Sequence, residues 1–174
     1  PVYGLRSLRA SPRDGDSIHV LMWVLGGVLA MGGDWCKGRW KAANGATSRS
    51  YRYNDAVWFR ICRHPNYGGE LMQVAALAAA AVDAGTPGWR SLLTFAATVL
   101  ILTKGVAANT VESRNARDFG SDPAYWQWRD STSPLLPVMP QVYRFIPKAL
   151  KRTVFMESLF TRWDERAVAR SKST

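Results

Sequence analysis

Three stretches of almost uninterrupted apolar residues divide the chain. They are IHVLMWVLGGVLAMGG (18–33), LMQVAALAAAAV (71–82) and SLLTFAATVLIL (91–102). A helix that crosses a membrane needs roughly 20 mainly apolar residues, and the accepted range begins near 17. The first segment approaches this length, the third reaches it by continuing to about Asn109, and the second reaches it if it begins near Tyr67. The pattern therefore predicts three transmembrane helices.

The alternative for these segments is burial inside a soluble α-helical protein, and a mean hydropathy of −0.16 is compatible with both. The segment 18–33 favours the membrane, because it is apolar all round and not along one stripe. A further helix is predicted over 148–170, where Phe155, Leu159 and Trp163 recur at four-residue spacing among basic residues. We therefore expect an all-α integral membrane protein with about three transmembrane helices and basic helices on the membrane surface.

Lysine and arginine are distributed unevenly around the apolar segments, and the net charge is +10. Seven of these residues lie in 34–69 and eleven after residue 109, whereas the link 83–90 contains only Arg90. Three crossings place the two rich regions on one side of the membrane, in agreement with the excess of positive charge found on cytoplasmic loops. Residues 34–69 and 110–174 should therefore face the cytosol, matrix or stroma together, and they can form one site between them.

This topology explains the basic composition without a nucleic-acid partner, and we expect none. The two histidines exclude a multi-histidine metal centre, and the two cysteines provide neither a disulfide framework nor a zinc pattern. No metal site is therefore expected. The glycine-rich loops of soluble nucleotide-binding folds and the GxSxG motif of hydrolases are also absent.

A dense polar cluster, RICRHPNYGGE (60–70), lies directly before the second apolar segment. Pro65 and Asn66 are suited to the first turn and the cap of a helix that begins there. Free N–H groups at a helix N-terminus favour an anion such as phosphate, and Arg60 and Arg63 would add charge-assisted donors. Asn66 and Tyr67 could hold a ribose or an amide by neutral hydrogen bonds. The cluster predicts either a polar cofactor docked at the membrane face or a structural anchor.

Two polar segments, VESRNARDFG (111–120) and DPAYWQWRDSTSPLLP (122–137), follow the third apolar segment. They are typical of a solvated charged helix with an aromatic anchor. Because they share a side with the cluster at 60–70, Arg114 and Arg129 could instead complete a phosphate pocket. Three prolines in nine residues predict that 132–140 is extended.

The order of these motifs resembles the C-terminal half of the steroid 5-alpha-reductase-like membrane proteins, over about residues 18–140. Those proteins have an aspartate and a lysine at the end of a span, then Arg-His-Pro-Asn-Tyr with Gly-Glu, and a distal Asp-Pro-x-Tyr with Thr-Ser and Leu-x-Pro. The matching residues are Asp34, Lys37, Phe59, Arg60, Arg63, His64, Pro65, Asn66, Tyr67, Gly69, Glu70, Glu112, Arg114, Asp122, Pro123, Tyr125, Thr132, Ser133 and Pro137. Isoprenylcysteine carboxyl methyltransferases, which bind S-adenosylmethionine, are more distantly similar.

The resemblance implies a helical membrane protein that binds NADPH on its cytosolic side and reduces a carbon–carbon double bond of a sterol-like or other lipid substrate. By match, the cofactor-binding residues would be Asp34, Arg63, Asn66, Tyr67 and Arg114, with Lys37, His64 and Glu70 as further candidates. Catalytic residues stay unassigned, because the proton-donating residues of the family lie in N-terminal spans that precede the matched half. Two departures are Gly68, where relatives usually carry an aromatic, and Cys36, where they carry glutamine.

We expect a truncated or processed N-terminal segment (1–17), a reductase-like membrane domain (18–140) and a basic amphipathic extension (141–174). The first functional hypothesis is an NADPH-dependent reductase of lipid or sterol double bonds. The second is a non-catalytic structural accessory subunit of a larger membrane complex derived from that fold. Either would lie in an organelle membrane (mitochondrial, plastid or ER), with membrane lipids as partners. The extension 141–174 would contact other subunits of the complex.

Overall fold

The computed structural model describes residues 16–45, 47, 50–51, 56–105 and 108–157, without the side chains of 104–105 and 108–110. Every regular element in these ranges is helical, which confirms the predicted all-α class. The helices are α1 (Asp16–Asn44), α2 (Val57–Ile61), α3 (Pro65–Asp83), α4 (Gly88–Leu100) with a π-helical turn (Ile101–Gly105), α5 (Ala108–Phe119), α6 (Pro123–Ser131), α7 (Pro140–Tyr143) and α8 (Lys148–Thr153). Most of the predicted segment 1–17, and residues 158–174 of the predicted extension, lie outside the described residues.

The three predicted spans correspond to α1, α3 and α4. Within the described ranges, α1 is the one helix that is long and apolar enough to cross a membrane, and the apolar helix Gly88–Thr103 is shorter. The first span was expected to close at Asp34, but α1 continues through it to Asn44. Asp34 therefore lies on the side of a helix and is exposed to solvent.

Glycines allow α1 and α3 to pack backbone against backbone. A Cβ atom on Gly69 of α3 would lie 2.3 Å from the carbonyl oxygen of Gly26 and 2.6 Å from the backbone nitrogen of Ala30. A Cβ atom on Gly33 would lie 2.8 Å from the Pro65 ring. Small residues permit this close approach in membrane helices as well as in soluble ones. The contact fixes the first turns of α3 against the second half of α1.

The start of α3 agrees with the sequence prediction, because His64 precedes the helix and Pro65 occupies its first turn. The chain turns between α3 and α4 at Gly85, whose φ of +94° lies in the region that favours glycine. After α6, residues 132–139 contain no helix, as the prolines predicted, but the segment bends at Thr132 and at 134–136 and is not extended throughout. Pro140, also predicted to be extended, begins α7.

The predicted helix over 148–170 begins at Lys148 as expected, but it is not continuous, because α8 ends at Thr153. Met156 has a φ of +58°, which is the left-handed region that a continuing α-helix cannot contain. Four-residue spacing of apolar side chains does not reveal such a break. The reversal at Met156 turns the chain so that Glu157 enters the interior, where it is buried.

The packing of α1 on α3 predicts different effects for two glycine-to-alanine substitutions. Gly69→Ala should destabilise the protein by about 1–3 kcal/mol, because backbone atoms of α1 occupy the space of the new methyl group. Gly38→Ala is the matched control on α1, where a Cβ atom meets nothing within 4 Å. It should be neutral or stabilise by roughly 0.5–1 kcal/mol. Thermal unfolding in detergent micelles, followed by circular dichroism, would measure both, and equal melting temperatures would contradict the packing.

Candidate functional site

The segment between α2 and α3 pairs with the non-helical segment 132–139 after α6. The backbone nitrogens of Arg63 and His64 donate to the carbonyls of Ser133 (2.8 Å) and Pro134 (3.1 Å), and Val138 donates to Ile61 (3.0 Å). These bonds bring the Arg-His-Pro-Asn element next to the Thr-Ser element, which lies about seventy positions away. The structure thus joins the two motifs that the sequence analysis treated as parts of one site.

Gly68 makes this approach possible. A Cβ atom at position 68 would lie 2.1 Å from the carbonyl oxygen of Leu135, a distance that real side chains do not adopt. Cys62 lies in the same contact, and its thiol reaches the carbonyl oxygen of Leu135 at 3.1 Å. Burial raises the pKa of the Cys62 thiol to about 12, so this cysteine remains a neutral thiol.

Arg63 is the centre of a buried ion-pair network. Its side chain is fully buried, with its Nε atom 3.5 Å from Glu112 Oε1. Its Nη2 atom donates to Oε2 of Glu157. A buried guanidinium must have anionic partners, because the transfer of an isolated charge out of water is unfavourable by many kcal/mol. Here both partners come from the chain itself.

Glu112, on α5, gathers the other members of the network. His64 Nε2 donates to Glu112 Oε1 at 2.8 Å, and Arg129 Nε lies 3.7 Å from Glu112 Oε2. We call Arg63, His64, Glu112, Arg129 and Glu157 the buried ion-pair network. Its members come from the start of α3, from α5, from α6 and from the turn after α8.

Electrostatics favour the charged form of the carboxylate in the network. Burial alone would raise the pKa of Glu112, but the Arg63 guanidinium, the hydrogen bond from His64 and the charge of Arg129 lower it to about 2. Burial would likewise lower the pKa of Arg63, but Glu112 and Glu157 raise it above its usual value. Both groups are therefore charged at every physiological pH.

Several hydroxyl and amide groups surround the network without a protein partner. Among the described residues, Tyr143 Oη, Thr132 Oγ1, Ser133 Oγ and Asn66 Oδ1 are buried and make no hydrogen bond to protein. Buried polar atoms of this kind commonly bind ordered water. Burial and the neighbouring carboxylate of Glu157 also raise the pKa of Tyr143, so its hydroxyl remains protonated.

A second group of predicted residues forms a more open cluster beside the network. Lys37 Nζ lies 3.3 Å from Asp34 Oδ1 and 5.9 Å from the ring centre of Tyr67. Glu70 is close enough for its charge to act on both Asp34 and Lys37. We call Asp34, Lys37, Tyr67 and Glu70 the Lys37 cluster. The Tyr67 ring stacks at 5.6 Å on His64, so the cluster and the network are in contact.

The structure separates the eight predicted cofactor-binding residues into three groups. Arg63 and His64 belong to the buried ion-pair network, and Asn66 lies buried at its edge. Asp34, Lys37, Tyr67 and Glu70 form the Lys37 cluster. Arg114 lies on the exposed side of α5. Glu157 and Tyr143 were missed by the sequence analysis, because an ion pair between residues 94 positions apart leaves no local pattern.

This arrangement does not fit a dinucleotide phosphate on Arg63. The Arg63 guanidinium faces Glu112 and Glu157. Its side chain is fully buried and is therefore not accessible to a ligand. The Lys37 cluster contains two carboxylates and one ammonium group, so its net charge repels an anion. Its aromatic ring and carboxylates suit the hydroxyl and amide groups of a ligand better than its phosphates.

The comparisons with known proteins give one match. A family model described as a protein of unknown function (DUF1295) matches residues 8–132. No curated protein and no solved structure matches the chain. The matched range contains Arg63, His64, Glu112 and Arg129 of the buried ion-pair network, whereas Tyr143 and Glu157 lie beyond it.

The network predicts a large effect of Glu112→Gln. Loss of this carboxylate removes the anion that Arg63 and Arg129 share, so Glu157 is the one carboxylate left in the network. Breaking a buried ion pair in this way destabilises a protein by about 3–5 kcal/mol. Arg117→Gln is the control, because Arg117 lies on the exposed side of the same helix and its loss should change stability by less than about 0.5 kcal/mol. Thermal unfolding of the two variants in one detergent would test this. Similar melting temperatures would mean that the network does not stabilise the fold.

The same carboxylate predicts how stability depends on pH. The pKa of Glu112 is about 2 in the folded chain, below its ordinary value of 4.5, so the unfolded state binds the proton more readily. The contribution is complete above about pH 5 and decreases as the pH falls towards 2. The wild-type melting temperature should therefore drop steeply between pH 5 and pH 2. In Glu112→Gln this part of the decrease should be missing, and a parallel decrease in both proteins would refute the assignment.

Proposed function

The chain belongs to the DUF1295 family of steroid 5-alpha-reductase-like membrane proteins, and from this premise we propose that it is a non-catalytic structural protein of an organelle membrane. In this proposal the residues that match the cofactor site of the family act inside the protein. They hold the C-terminal part of the chain against the membrane helices. The chain would serve as an accessory subunit of a larger membrane complex.

The exposure of apolar side chains supports the membrane placement. Only 17% of the most apolar window of α1 is buried within the protein, which is unlike the core helix of a soluble protein. Large apolar residues are exposed along its length and along α4: Ile18, Val20, Leu21, Trp23, Val24, Leu25, Val28, Met31, Trp89, Leu92, Leu93, Leu100 and Ile101. Water is a poor solvent for such a surface, whereas hydrocarbon is a good one. We propose that α1, α3 and α4 with its π-helical turn all cross the membrane.

One observation carries the structural proposal: Arg63 is fully buried and ion-paired with Glu112 and Glu157. A phosphate-binding arginine has to present its donors to the ligand, and here Nε lies beside Glu112 and Nη2 donates to Glu157. A phosphate in their place would take from Glu157 its Arg63 partner and leave Glu112 with Arg129 and His64. That exchange is unfavourable by several kcal/mol unless Glu157 leaves the site.

A second candidate function is the NADPH-dependent reduction of a lipid or sterol-like double bond. The Lys37 cluster favours it, because four of the predicted cofactor residues meet on one accessible surface beside His64. When bound, NADPH would supply a hydride to one carbon of the double bond. Asp34, Tyr67 and Glu70 would orient its polar groups, and Arg114 on α5 is exposed. This function requires Glu157 to release Arg63.

Binding of NADPH separates the two candidates. The chain in lipid nanodiscs, titrated with NADPH and followed by its fluorescence, should show no saturable binding tighter than about 1 mM. Arg63→Ala should lower the melting temperature sharply, because it removes the buried cation that Glu112 and Glu157 share. Arg114→Ala, on an exposed surface, is the control and should unfold like the wild type.

The opposite result would establish the reductase candidate. Saturable binding in the micromolar range that Arg63→Ala abolishes without a change in melting temperature would overturn the structural proposal. Glu157→Gln provides an independent check, because it weakens the contact that covers Arg63. If this variant alone binds NADPH, the site exists and is closed by the C-terminal part of the chain.

A further inference from the structure

The residues between Val138 and Glu157 expose an unusual number of apolar side chains. Within 139–154 the exposed ones are Met139, Val142, Phe145, Leu150 and Val154, and Phe145 is 75% exposed. They lie on two short helices, α7 and α8, and on the turns that flank them. We call this the 139–154 surface. No other described element covers these side chains.

The same residues carry positive charge only. No aspartate or glutamate occurs between Asp130 and Glu157, whereas Arg144, Lys148 and Arg152 are present and exposed. The Arg144 guanidinium lies 4.7 Å from the centre of the Phe145 ring, so cation and apolar ring occupy the same part of the surface. A mixture of exposed apolar groups and cations is typical of proteins that lie at a membrane interface.

Buried contacts hold the underside of this surface. Tyr143 is fully buried and meets the Phe155 ring edge-on at 5.3 Å. Lys151 is directed inward, where its Nζ atom donates to the Asp130 carbonyl at 3.1 Å and lies over the Tyr143 ring. These contacts distinguish the inner side of the segment from the outer side, which carries Arg144 and Phe145. The outer side is therefore available to a partner.

The position of the surface relative to the membrane helices identifies that partner. Glu157 binds Arg63, directly before the first turn of α3, so the 139–154 surface lies at the end of α3 that is rich in basic residues. This inference rests on the proposed membrane crossing of α3. Given that crossing, the surface lies at the level where the lipid headgroups begin, on the side where the leaflet carries anionic lipids.

We propose that the 139–154 surface docks on a membrane leaflet that contains anionic phospholipid. Arg144 and Lys148 bind the negatively charged headgroups, and Phe145, Val142 and Leu150 enter the boundary between headgroups and acyl chains. Charge complementarity favours a lipid surface over a protein, because the outer side of the segment offers exposed cations and no carboxylate for a partner protein to match. Docking of this surface would also hold Glu157 against Arg63.

A spin label at position 145 tests the docking. The full chain carrying Cys36→Ser and Phe145→Cys is labelled with a nitroxide, since the remaining Cys62 is fully buried. It is reconstituted in vesicles of phosphatidylcholine alone or mixed with phosphatidylglycerol, which supplies the negative surface charge of a cytoplasmic leaflet. Power saturation with oxygen and with a water-soluble nickel complex reports the depth of the label. The label should lie below the headgroups in the anionic vesicles and closer to water in the neutral ones.

A charge variant and two further label positions make the outcome unambiguous. Replacing Arg144 and Lys148 by glutamine should reduce the ratio of docked to undocked protein about 25-fold, since each cation contributes about fivefold. The label should then move towards water. A label at Val24→Cys in α1 reports separately whether that helix lies in hydrocarbon. A label at Asp118→Cys should remain in water in every vesicle.

Three results would overturn the proposal. The label at 145 could remain in water with anionic vesicles, it could be equally deep in both lipids, or it could be shielded from both reagents by another protein. If the label at position 24 lies deep in the hydrocarbon when any one of these results is obtained, the membrane placement of α1 survives and only the docking fails. If the Val24 label is also in water, the membrane placement itself is refuted.

Discussion

A carboxylate that has lost its water must be neutralised by its surroundings, and Glu112 imposes this requirement on the whole described chain. It is almost completely buried, and its neutralisation takes Arg63, Arg129 and a hydrogen bond from His64. Two guanidinium groups against one carboxylate would leave an excess of positive charge. The entry of Glu157 restores the balance. The network is therefore complete only when the turn after α8 is folded onto the start of α3.

This requirement explains why the motif Arg-His-Pro-Asn can be present without being available to a ligand. A buried arginine binds a phosphate or a carboxylate by the same geometry, and the chain supplies the carboxylates. The motif alone therefore does not distinguish a cofactor site from an internal ion pair. The Lys37 cluster, which is more accessible, retains the chemistry for binding neutral polar groups but carries more carboxylates than cations. This balance of charges supports the proposed structural role.

Local chemistry was predictable from the sequence, and distant partners were not. Proline at a first helical turn acts over a few residues, so the start of α3 at Pro65 could be located. Topology alone indicated that 34–69 and the residues after 110 would meet, which the contact of Arg63 with Glu112 bears out. The continuation of α1 through Asp34 left no signal, because backbone hydrogen bonds form equally well outside an apolar zone. Glu157 left none either, since the reversal at Met156 interrupts the helical periodicity that the sequence pattern suggested.

The contact between Gly68 and the Leu135 carbonyl also constrains how this sequence can vary. An aromatic residue at position 68, as the resemblance to the reductases suggested for this place, cannot coexist with the observed path of 133–138. That path supplies the acceptors for the backbone N–H groups of Arg63 and His64. A larger residue at position 68 is therefore tolerated only if the segment 133–138 has already taken another path. Position 68 and this segment thus form an epistatic pair, and the order in which they change decides whether the intermediate protein folds.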